Sequence, residues 1–503
     1  MEPTLEVEAP ERRRADIAMT GDEFRRAGHE LVERLAEFFD ELRERPVTPG
    51  EGPEEIRALL NSEAGLPERG ESAEELLREA TGLLMDHSLF NAHPRFFGYI
   101  TAPAAPIGIL GDFLAAGMNA NCGAWILSPV AAEIEAQTVR WLAELIGYPP
   151  DGSGLLVSGG NMANLTAFLA ARAAVADWPV REHGLAASDA RQLRVYGSAD
   201  THTWIEKAAD LFGLGTDSIR WIGTDAERRM DVGALRDAVD RDIDAGDLPM
   251  LVVGTSGSVG FGMVDDLPAI AEVCRERDVW FHADGAYGGF AACVPDVDPR
   301  LAAIGLADSI AIDPHKWLYA PLEAGCVLVR DRGALERAFA YHPPYFYFGV
   351  EATNYVDLGL QNSRGFRALK VWLALRQVGR SGFQRMIGED CALSRRMHQR
   401  LSDHPEIEPF TQSLSINTFR YVPIDLRDRR GDGEAEAYLD SLNEKVMDRM
   451  DREGKAFVSL ARTNGTFLLR SCIVNYNTSA EDVDALPEMV AEVGRVVDAE
   501  ERG

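Results

Sequence analysis

Three segments of the sequence carry residues whose types and spacing can perform chemistry. In LLVSGGNMANLTAFLAA, residues 155–171, an apolar run leads through Gly159, Gly160 and Asn161 into an alanine-rich helical stretch. Glycines let the backbone approach a ligand closely, and a helix N-terminus presents unpaired N–H groups to an anion. The segment therefore predicts a phosphate-binding turn, with an ordinary strand-to-helix turn as the alternative.

The second and third segments each place one ionisable residue after an apolar run. Asp284 follows VWF in HADGAYGGF, and Lys316 lies in SIAIDPHKW. A carboxylate buried there needs a cationic or N–H partner, such as a protonated ring nitrogen. Partial burial lowers the pKa of a lysine toward the range in which its amine attacks a carbonyl group. Taken singly, a structural turn aspartate and a strand-capping lysine are the favoured explanations of these two residues.

Together the three segments supply the attachments that pyridoxal phosphate requires. These are a phosphate cradle, an acidic partner for the pyridine nitrogen and an amine that bonds to the aldehyde carbon. The cofactor accepts electrons only while its ring nitrogen stays protonated, which is the task expected of Asp284. The combination predicts a pyridoxal phosphate enzyme.

The order and spacing of these residues resemble the group II pyridoxal-phosphate decarboxylases, which include aromatic L-amino acid, histidine and glutamate decarboxylases. The 32-residue interval from Asp284 to Lys316 is similar to that of the aromatic members. The pattern extends from HPRFFGY at 93–99 through SRGFRALKVW at 363–372. The resemblance implies a carboxy-lyase of fold type I, a homodimer with its active site at the interface, and N-terminal helices that embrace the partner.

The resemblance also implies roles for single residues. His202 is similar to the histidine that stacks on the pyridine ring and contacts the substrate carboxylate. Ser256 corresponds to a hydroxyl residue near the cofactor. The implied cofactor-binding set is Lys316, Asp284, His202, Gly160, Asn161, Ser256, His315 and Ala286. The implied substrate-contacting set is Tyr99, Thr101 and Trp125.

A loop tyrosine of these relatives is associated with the reaction type. Tyr355 lies eleven residues before Phe366, the spacing of the aromatic decarboxylases, in which this tyrosine protonates Cα after carbon dioxide leaves. The third catalytic residue, beside Lys316 and His202, is therefore Tyr355, and its presence favours decarboxylation over aldehyde formation. A packing role is the alternative, since YFYF at 345–348 supplies other aromatic residues.

Asp313 stands where the family often has asparagine. Because a carboxylate repels a phosphate, we expect the side chain of Asp313 to turn away from the cofactor.

An α/β fold must position these residues. Five short apolar runs, four of them ending in Ser, Gly, Asp, His or Lys, predict a largely parallel sheet with helices on both faces and with ligands bound beyond the strand ends. The family resemblance implies that this is the mainly parallel, seven-stranded sheet of fold type I. Helical spacing at 21–44 and 72–86 predicts an N-terminal helical dimerisation segment over 1–90. The large domain is expected over 91–380 and a small α+β domain over 381–503, containing a final helix near 480–500.

Composition sets outer limits on function. A net charge of −30 disfavours nucleic acid and anionic membranes as partners. Six scattered cysteines without C-x-x-C spacing predict neither a disulfide framework nor a zinc site, and no metal is expected. The first residues lack the apolar core of a signal peptide, so a cytoplasmic location is expected, with residues 1–19 disordered. The uncharged stretch 113–132 is interpreted as buried core around a site rather than a membrane span.

An aromatic substrate of the tyrosine, DOPA, tryptophan or phenylalanine type is the choice favoured here. One alternative is an acidic or small amino acid, namely glutamate, aspartate or 2,4-diaminobutyrate. A cationic pocket residue would support the acidic case, and the sequence identifies none. Aldehyde synthesis or aldol cleavage is the second alternative. A non-catalytic scaffold is disfavoured, because Lys316, Asp284 and His202 are all present.

Overall fold

The computed structural model describes residues 15–342, 352–463 and 465–503. They form two compact units that divide between Leu89 and Phe90. The first unit has helices α1 (Gly21–Glu41), α2 (Pro53–Leu59) and α3 (Ala73–Asp86). The helices predicted at 21–44 and 72–86 are confirmed. Most of the terminus that was predicted to be disordered lies outside the described residues.

Helix α1 is well started but poorly covered within its unit. Thr20 and Glu23 form a reciprocal capping box at its first turn. Arg78 of α3 donates to Glu30 of α1 at 2.9 Å, which ties the two helices together. Phe24 is nevertheless 55% exposed and Phe39 42% exposed. The first unit therefore leaves apolar surface in contact with solvent.

The second unit is built on a seven-stranded sheet. Its strands are β1 (Ser153–Val157), β2 (Leu193–Ser198), β3 (Ile219–Ile222), β4 (Leu248–Thr255), β5 (Trp280–Gly285), β6 (Ser309–Ile312) and β7 (Gly325–Val329). The spatial order is β1-β7-β6-β5-β4-β2-β3, with β7 antiparallel to both of its neighbours. The remaining pairings are parallel, so the carboxyl ends of β4, β5 and β6 meet at one edge. The mainly parallel seven-stranded sheet is confirmed.

Helices surround this sheet, and two buried apolar clusters pack against it. The helices are α4 (Pro106–Met118), α5 (Pro129–Ile146), α6 (Gly160–Val175), α7 (Val180–His183), α8 (Trp204–Leu211), α9 (Val232–Asp244), α10 (Leu267–Arg277), α11 (Ala334–Phe339) and α12 (Ala368–Asp403). Helix α12 is interrupted at Gly379, whose φ of 68° is a left-handed conformation that glycine adopts without strain.

A second, four-stranded antiparallel sheet follows α12. It comprises β8 (Ile407–Ser413), β9 (Ile416–Tyr421), β10 (Ser459–Thr463) and β11 (Thr466–Cys472), in the order β10-β11-β9-β8. Helices α13 (Gly433–Glu453) and α14 (Ala480–Arg502) pack with it around a separate apolar cluster. The final helix was predicted at 480–500, and the α+β character of this region is confirmed.

The stretch 113–132 differs from its prediction as buried core. Six of its apolar residues are more than half exposed, among them Phe113, Met118 and Val130 at 52%, 70% and 72%. They lie on α4, on the 3-10 turn Trp125–Leu127 and at the start of α5, where no element among the described residues covers them. No helix in the described parts of the chain is long and apolar enough to cross a bilayer.

Candidate active site

A cavity of about 610 Å³ opens where β4, β5 and β6 end. Eight of the predicted site residues line it: Lys316, Asp284, His202, Gly160, Asn161, His315, Ala286 and Tyr99. These residues come from separate segments between positions 99 and 316 and meet because parallel strands bring their carboxyl ends to one edge.

Lys316 lies just beyond β6, on a turn that also holds its charge partner. Its Nζ is 3.0 Å from Oδ2 of Asp313, whose side chain is buried. The expectation that Asp313 turns away is wrong, because the lysine ammonium three residues later compensates the buried carboxylate on the cavity side. The other oxygen of Asp313, Oδ1, has no hydrogen-bond partner within the described residues.

The turn before α6 brings backbone close to the cavity. Gly159 has a φ of 139°, which favours glycine. A Cβ at Gly160 would lie 2.7 Å from both Ala286 Cβ and Asp313 Oδ2, so the position has no room for a side chain. Asn161 lines the cavity in the first turn of the helix. The turn can therefore present backbone N–H groups to an anion, and its role in binding phosphate stays a prediction.

Asp284 is held by three donors at the end of β5. Its Oδ2 accepts from the Trp204 indole at 2.8 Å and from Asn164 Nδ2 at 3.2 Å, and its Oδ1 accepts from the Ala286 backbone N–H at 3.2 Å. The residue is 7% exposed and lines the cavity. Donors to both oxygens fix the orientation of the carboxyl group at the cavity wall, where it can pair with a protonated nitrogen.

His202 lies far from Asp284 in the sequence but lines the same cavity. The backbone N–H of Trp204 donates to its Nδ1 at 3.3 Å. The surrounding protein lowers the pKa of His202, and the Asp284 charge opposes that effect. A neutral imidazole with Nδ1 as acceptor carries its proton on Nε2. The ring is thus suited to stack on an aromatic ligand and to donate from Nε2.

Four predicted residues do not line the cavity. Ser256 is fully buried, its Oγ has no hydrogen-bond partner among the described residues, and its neighbour Thr255 lines the cavity instead. Thr101 lies one residue beyond the lining residue Ile100. Trp125 begins a 3-10 turn, and its indole donates to Glu133 at 2.8 Å.

Tyr355 lies away from the cavity as well. It is 2% exposed, and its ring lies 4.7 Å from the guanidinium carbon of Arg364. Burial raises the pKa of the Tyr355 phenol above its usual value. These contacts favour the alternative packing role for Tyr355, and its role as proton donor stays an untested prediction. The aromatic residues 345–348 lie outside the described residues.

Sequence reasoning missed Arg470, a cationic residue in the wall of the cavity. It lies on β11, is 3% exposed and lines the cavity. Nη1 donates to the Tyr99 carbonyl at 3.2 Å and to Ser459 Oγ at 3.1 Å. Nε and Nη2 have no partner among the described residues. No sequence motif indicated Arg470, because its strand lies in the C-terminal sheet, far from the other site residues in sequence.

The residues present fit pyridoxal phosphate. A glycine turn at a helix N-terminus matches a phosphate, the Asp284 carboxylate matches a protonated ring nitrogen, and the Lys316 amine matches an aldehyde. Thr255 Oγ1, Asp313 Oδ1 and two nitrogens of Arg470 are buried and have no hydrogen-bond partner in the part of the chain that the structure describes. Buried polar atoms are rarely left unsatisfied, so these atoms indicate a bound polar ligand.

Fold and site together define a pyridoxal phosphate enzyme that breaks a bond at an amino acid's α-carbon. The model of the pyridoxal-dependent decarboxylase conserved domain matches residues 53–421, and the chain belongs to this family. It is accordingly a pyridoxal-phosphate-dependent carboxy-lyase acting on an amino acid.

Individual relatives agree with the family. The chain is 32% identical to an aromatic-L-amino-acid decarboxylase of Bacillus atrophaeus over 93% of this chain and 95% of that protein. It is 29% identical to the 4-hydroxyphenylacetaldehyde synthase of Rhodiola rosea over 93% and 94% of the two chains. The crystal structure of Oryza sativa TDC with PLP and tryptamine superposes with a TM-score of 0.87 at 26% identity, covering 96% of this chain and 99% of that one.

Proposed function

We propose that this decarboxylase acts on an aromatic L-amino acid and releases the amine and carbon dioxide. One observation carries the choice of substrate: the cavity that contains Lys316 also has an aromatic wall. The rings of Tyr99 and Phe457 both line it, with centroids 6.0 Å apart. Aromatic side chains favour offset or tilted contact with another ring.

Charge around the cavity disfavours an acidic side chain on the substrate. Asp448 and Asp451 line the cavity, as does Asp200, whose charge Arg228 compensates at 2.8 Å. Arg470 is the cationic residue available to a carboxylate, and every amino acid substrate already brings an α-carboxylate. We assign Arg470 to that group, which leaves a second carboxylate facing the aspartates.

The residues of the chain divide the work of the reaction. Bound pyridoxal phosphate supplies an electron sink for the bond that breaks. Lys316 provides the amine that holds the cofactor and that must be released when substrate arrives. Asp284 keeps a proton at the ring nitrogen, and His202 covers one face of the ring. Arg470 orients the carboxylate that is to leave, so that positioning is complete before the bond breaks.

The test is a product assay on the holoenzyme. Purified protein with pyridoxal phosphate is given tyrosine, DOPA, tryptophan, phenylalanine, glutamate and 2,4-diaminobutyrate, and carbon dioxide, amine, aldehyde and ammonia are measured. We expect carbon dioxide and amine in equal amounts from one aromatic substrate. Lys316→Ala removes this activity, while Lys445→Ala, which breaks a surface ion pair with Glu501, does not. Turnover of glutamate, or equimolar aldehyde and ammonia, would contradict the proposal.

We further propose that the enzyme is a cytoplasmic homodimer, divided into a helical segment at 1–90, a large domain at 91–380 and a small domain at 381–503. Two exposed apolar surfaces support the dimer, one on α1 and one on α4 and the start of α5. Phe113 and Met118 lie on the second surface, and a charged replacement there disfavours burial. Phe113→Glu is expected to yield monomers in sedimentation velocity. The control Leu211→Glu changes an exposed apolar residue outside both surfaces and should leave the oligomeric state of the wild type unchanged. A monomeric wild-type enzyme would contradict it.

A further inference from the structure

Behind Asp284, a row of buried polar side chains continues away from the cavity. Asn164 Oδ1 is 2.7 Å from His282 Nε2, and His282 Nδ1 is 2.8 Å from Ser309 Oγ. The indole of Trp280 donates to the same Oγ at 2.8 Å. We call Asn164, His282, Ser309 and Trp280 the buried polar chain. Asn164, His282 and Ser309 are at most 2% exposed, and Trp280 is 9% exposed.

The direction of these hydrogen bonds follows from the Asp284 end. A carboxylate only accepts, so Asn164 must turn Nδ2 toward Asp284 and Oδ1 toward His282. Oδ1 can only accept, so His282 carries its proton on Nε2. Burial lowers the pKa of His282 to about 4, and the neutral ring then offers Nδ1 as an acceptor.

The opposite end gives the same direction. An indole N–H only donates, so Ser309 Oγ accepts from Trp280 and its own hydroxyl proton is free to go to His282 Nδ1. Every member of the buried polar chain therefore donates toward Asp284. Reversing the Asn164 amide would bring its oxygen to about 3 Å from the carboxylate and reverse each later bond.

We propose that the buried polar chain holds Asp284 in the orientation and charge state that keep the cofactor ring nitrogen protonated, with His282 as the positioning residue. His282 does not touch the cavity; it acts by locking the amide of Asn164. The ring of Trp204, which donates to Asp284, also packs edge-on against His282 with centroids 5.6 Å apart. The inference rests on the proposed pairing of Asp284 with the ring nitrogen.

The experiment measures the protonation state of bound cofactor rather than turnover. Each variant is loaded with pyridoxal phosphate labelled with ¹⁵N in the ring, and the ¹⁵N chemical shift and the cofactor dissociation constant are recorded. His282→Phe fills the space but removes both nitrogens. We expect its ¹⁵N resonance to move toward that of the unprotonated ring and its cofactor affinity to fall about tenfold.

A conservative variant separates positioning from packing. His282→Gln places an amide N–H near the original Nε2 and should restore the protonated resonance, whereas His282→Asn should not. Tyr196→Phe is the matched control, because it deletes a buried hydrogen bond of 2.8 Å to Asp242 elsewhere in the sheet. It should lower the melting temperature without moving the resonance.

The outcomes distinguish this inference from the proposed site. If Asp284→Asn leaves the ring protonated, the pairing of Asp284 with the nitrogen is wrong. If Asp284→Asn deprotonates the ring and His282→Phe does not, the positioning role of His282 is wrong. Should His282→Phe fail to fold, Asn164→Leu provides the same comparison, and an unchanged resonance there overturns the inference.

Discussion

Two buried charged centres of the second unit differ in how completely their hydrogen bonds are made. In the closed centre, Arg364 pairs with both oxygens of Glu135 and also donates to the carbonyls of Cys122 and Leu156. The backbone N–H of Leu156 returns a bond to Glu135 at 2.9 Å. This network links α5, β1 and the segment before α12.

The open centre is the cavity that contains Lys316, Asp313, Thr255 and Arg470. Here Asp313 Oδ1, Thr255 Oγ1 and two Arg470 nitrogens are buried without partners in the described chain. Leaving such atoms unpaired costs about 1–3 kcal/mol each. The polar atoms of the closed centre bind one another and stabilise the fold, whereas those of the open centre remain available to bind a ligand.

Truncating one arginine in each centre should separate stability from activity. Arg364→Met leaves Glu135 buried and uncompensated, so we expect the free energy of unfolding to fall by about 3–5 kcal/mol in urea titrations. Arg470→Met should lower it by about 1 kcal/mol or less, while kcat/KM falls on the order of 100-fold through loss of the carboxylate contact. Equal losses of stability in the two variants would contradict the distinction.

A second buried site with its hydrogen bonds made, around Asp390, should make the stability of the fold depend on pH. Asp390 Oδ2 accepts from Trp317 at 3.0 Å and from Tyr319 at 2.9 Å, and burial raises the pKa of Asp390 to about 7. The folded state therefore retains a proton that the unfolded state releases near pH 4.

Wild-type stability should consequently decline relative to Asp390→Asn as pH rises from about 4 to 7, by up to about 1.4 kcal/mol per unit. Urea unfolding at several pH values measures this difference. A difference that is independent of pH across that range would show that Asp390 is ionised in the fold.

Asp313 allows a smaller test within the open centre. Its carboxylate lies against Gly160 at the start of α6, where a phosphate is proposed to bind. Asp313→Asn removes the electrostatic repulsion between this carboxylate and the phosphate. We expect the affinity for pyridoxal phosphate, relative to pyridoxal, to rise about three- to tenfold in equilibrium dialysis. The pyridoxal measurement controls for any change at Lys316, and an unchanged ratio would place the phosphate elsewhere.

The smallest effect is expected at Tyr355, whose ring packs on Arg364 of the closed centre. Tyr355→Phe keeps the ring and removes a hydroxyl that does not line the cavity. The amine yield and the turnover rate should stay within about twofold of wild type, which product analysis by chromatography would show. Conversion of the product to aldehyde would instead establish Tyr355 as the proton donor.

The sequence predicted those parts of the molecule in which local pattern and chemistry coincide. Asp284 and Lys316 follow apolar strands directly, and both line the cavity as expected. Strands β2 and β3 were missed, since Arg194 and Arg220 interrupt their apolar pattern. Those arginines pair with Asp247 and Asp242, partners that only the folded sheet brings near.

Three-dimensional complementarity explains the other differences. Arg470 lines the cavity because the register of β11 places its side chain on the sheet face that borders the cavity. Strand alternation in the sequence does not show which of the two faces that is. Asp313 was expected to avoid the site on charge grounds, but its ion pair with Lys316 offsets the repulsion. Phe113 is exposed because no element of the described residues packs over it, which composition cannot reveal.

The contact between Arg470 and the Tyr99 carbonyl joins residues 371 positions apart. During synthesis, Lys316 leaves the ribosome 154 residues before Arg470. At about 5–20 residues per second, roughly 10–30 s pass between the two events. A nascent chain thus acquires its reactive amine well before the group proposed to hold the substrate carboxylate. The cavity is therefore completed only after most of the chain, Lys316 included, has been made.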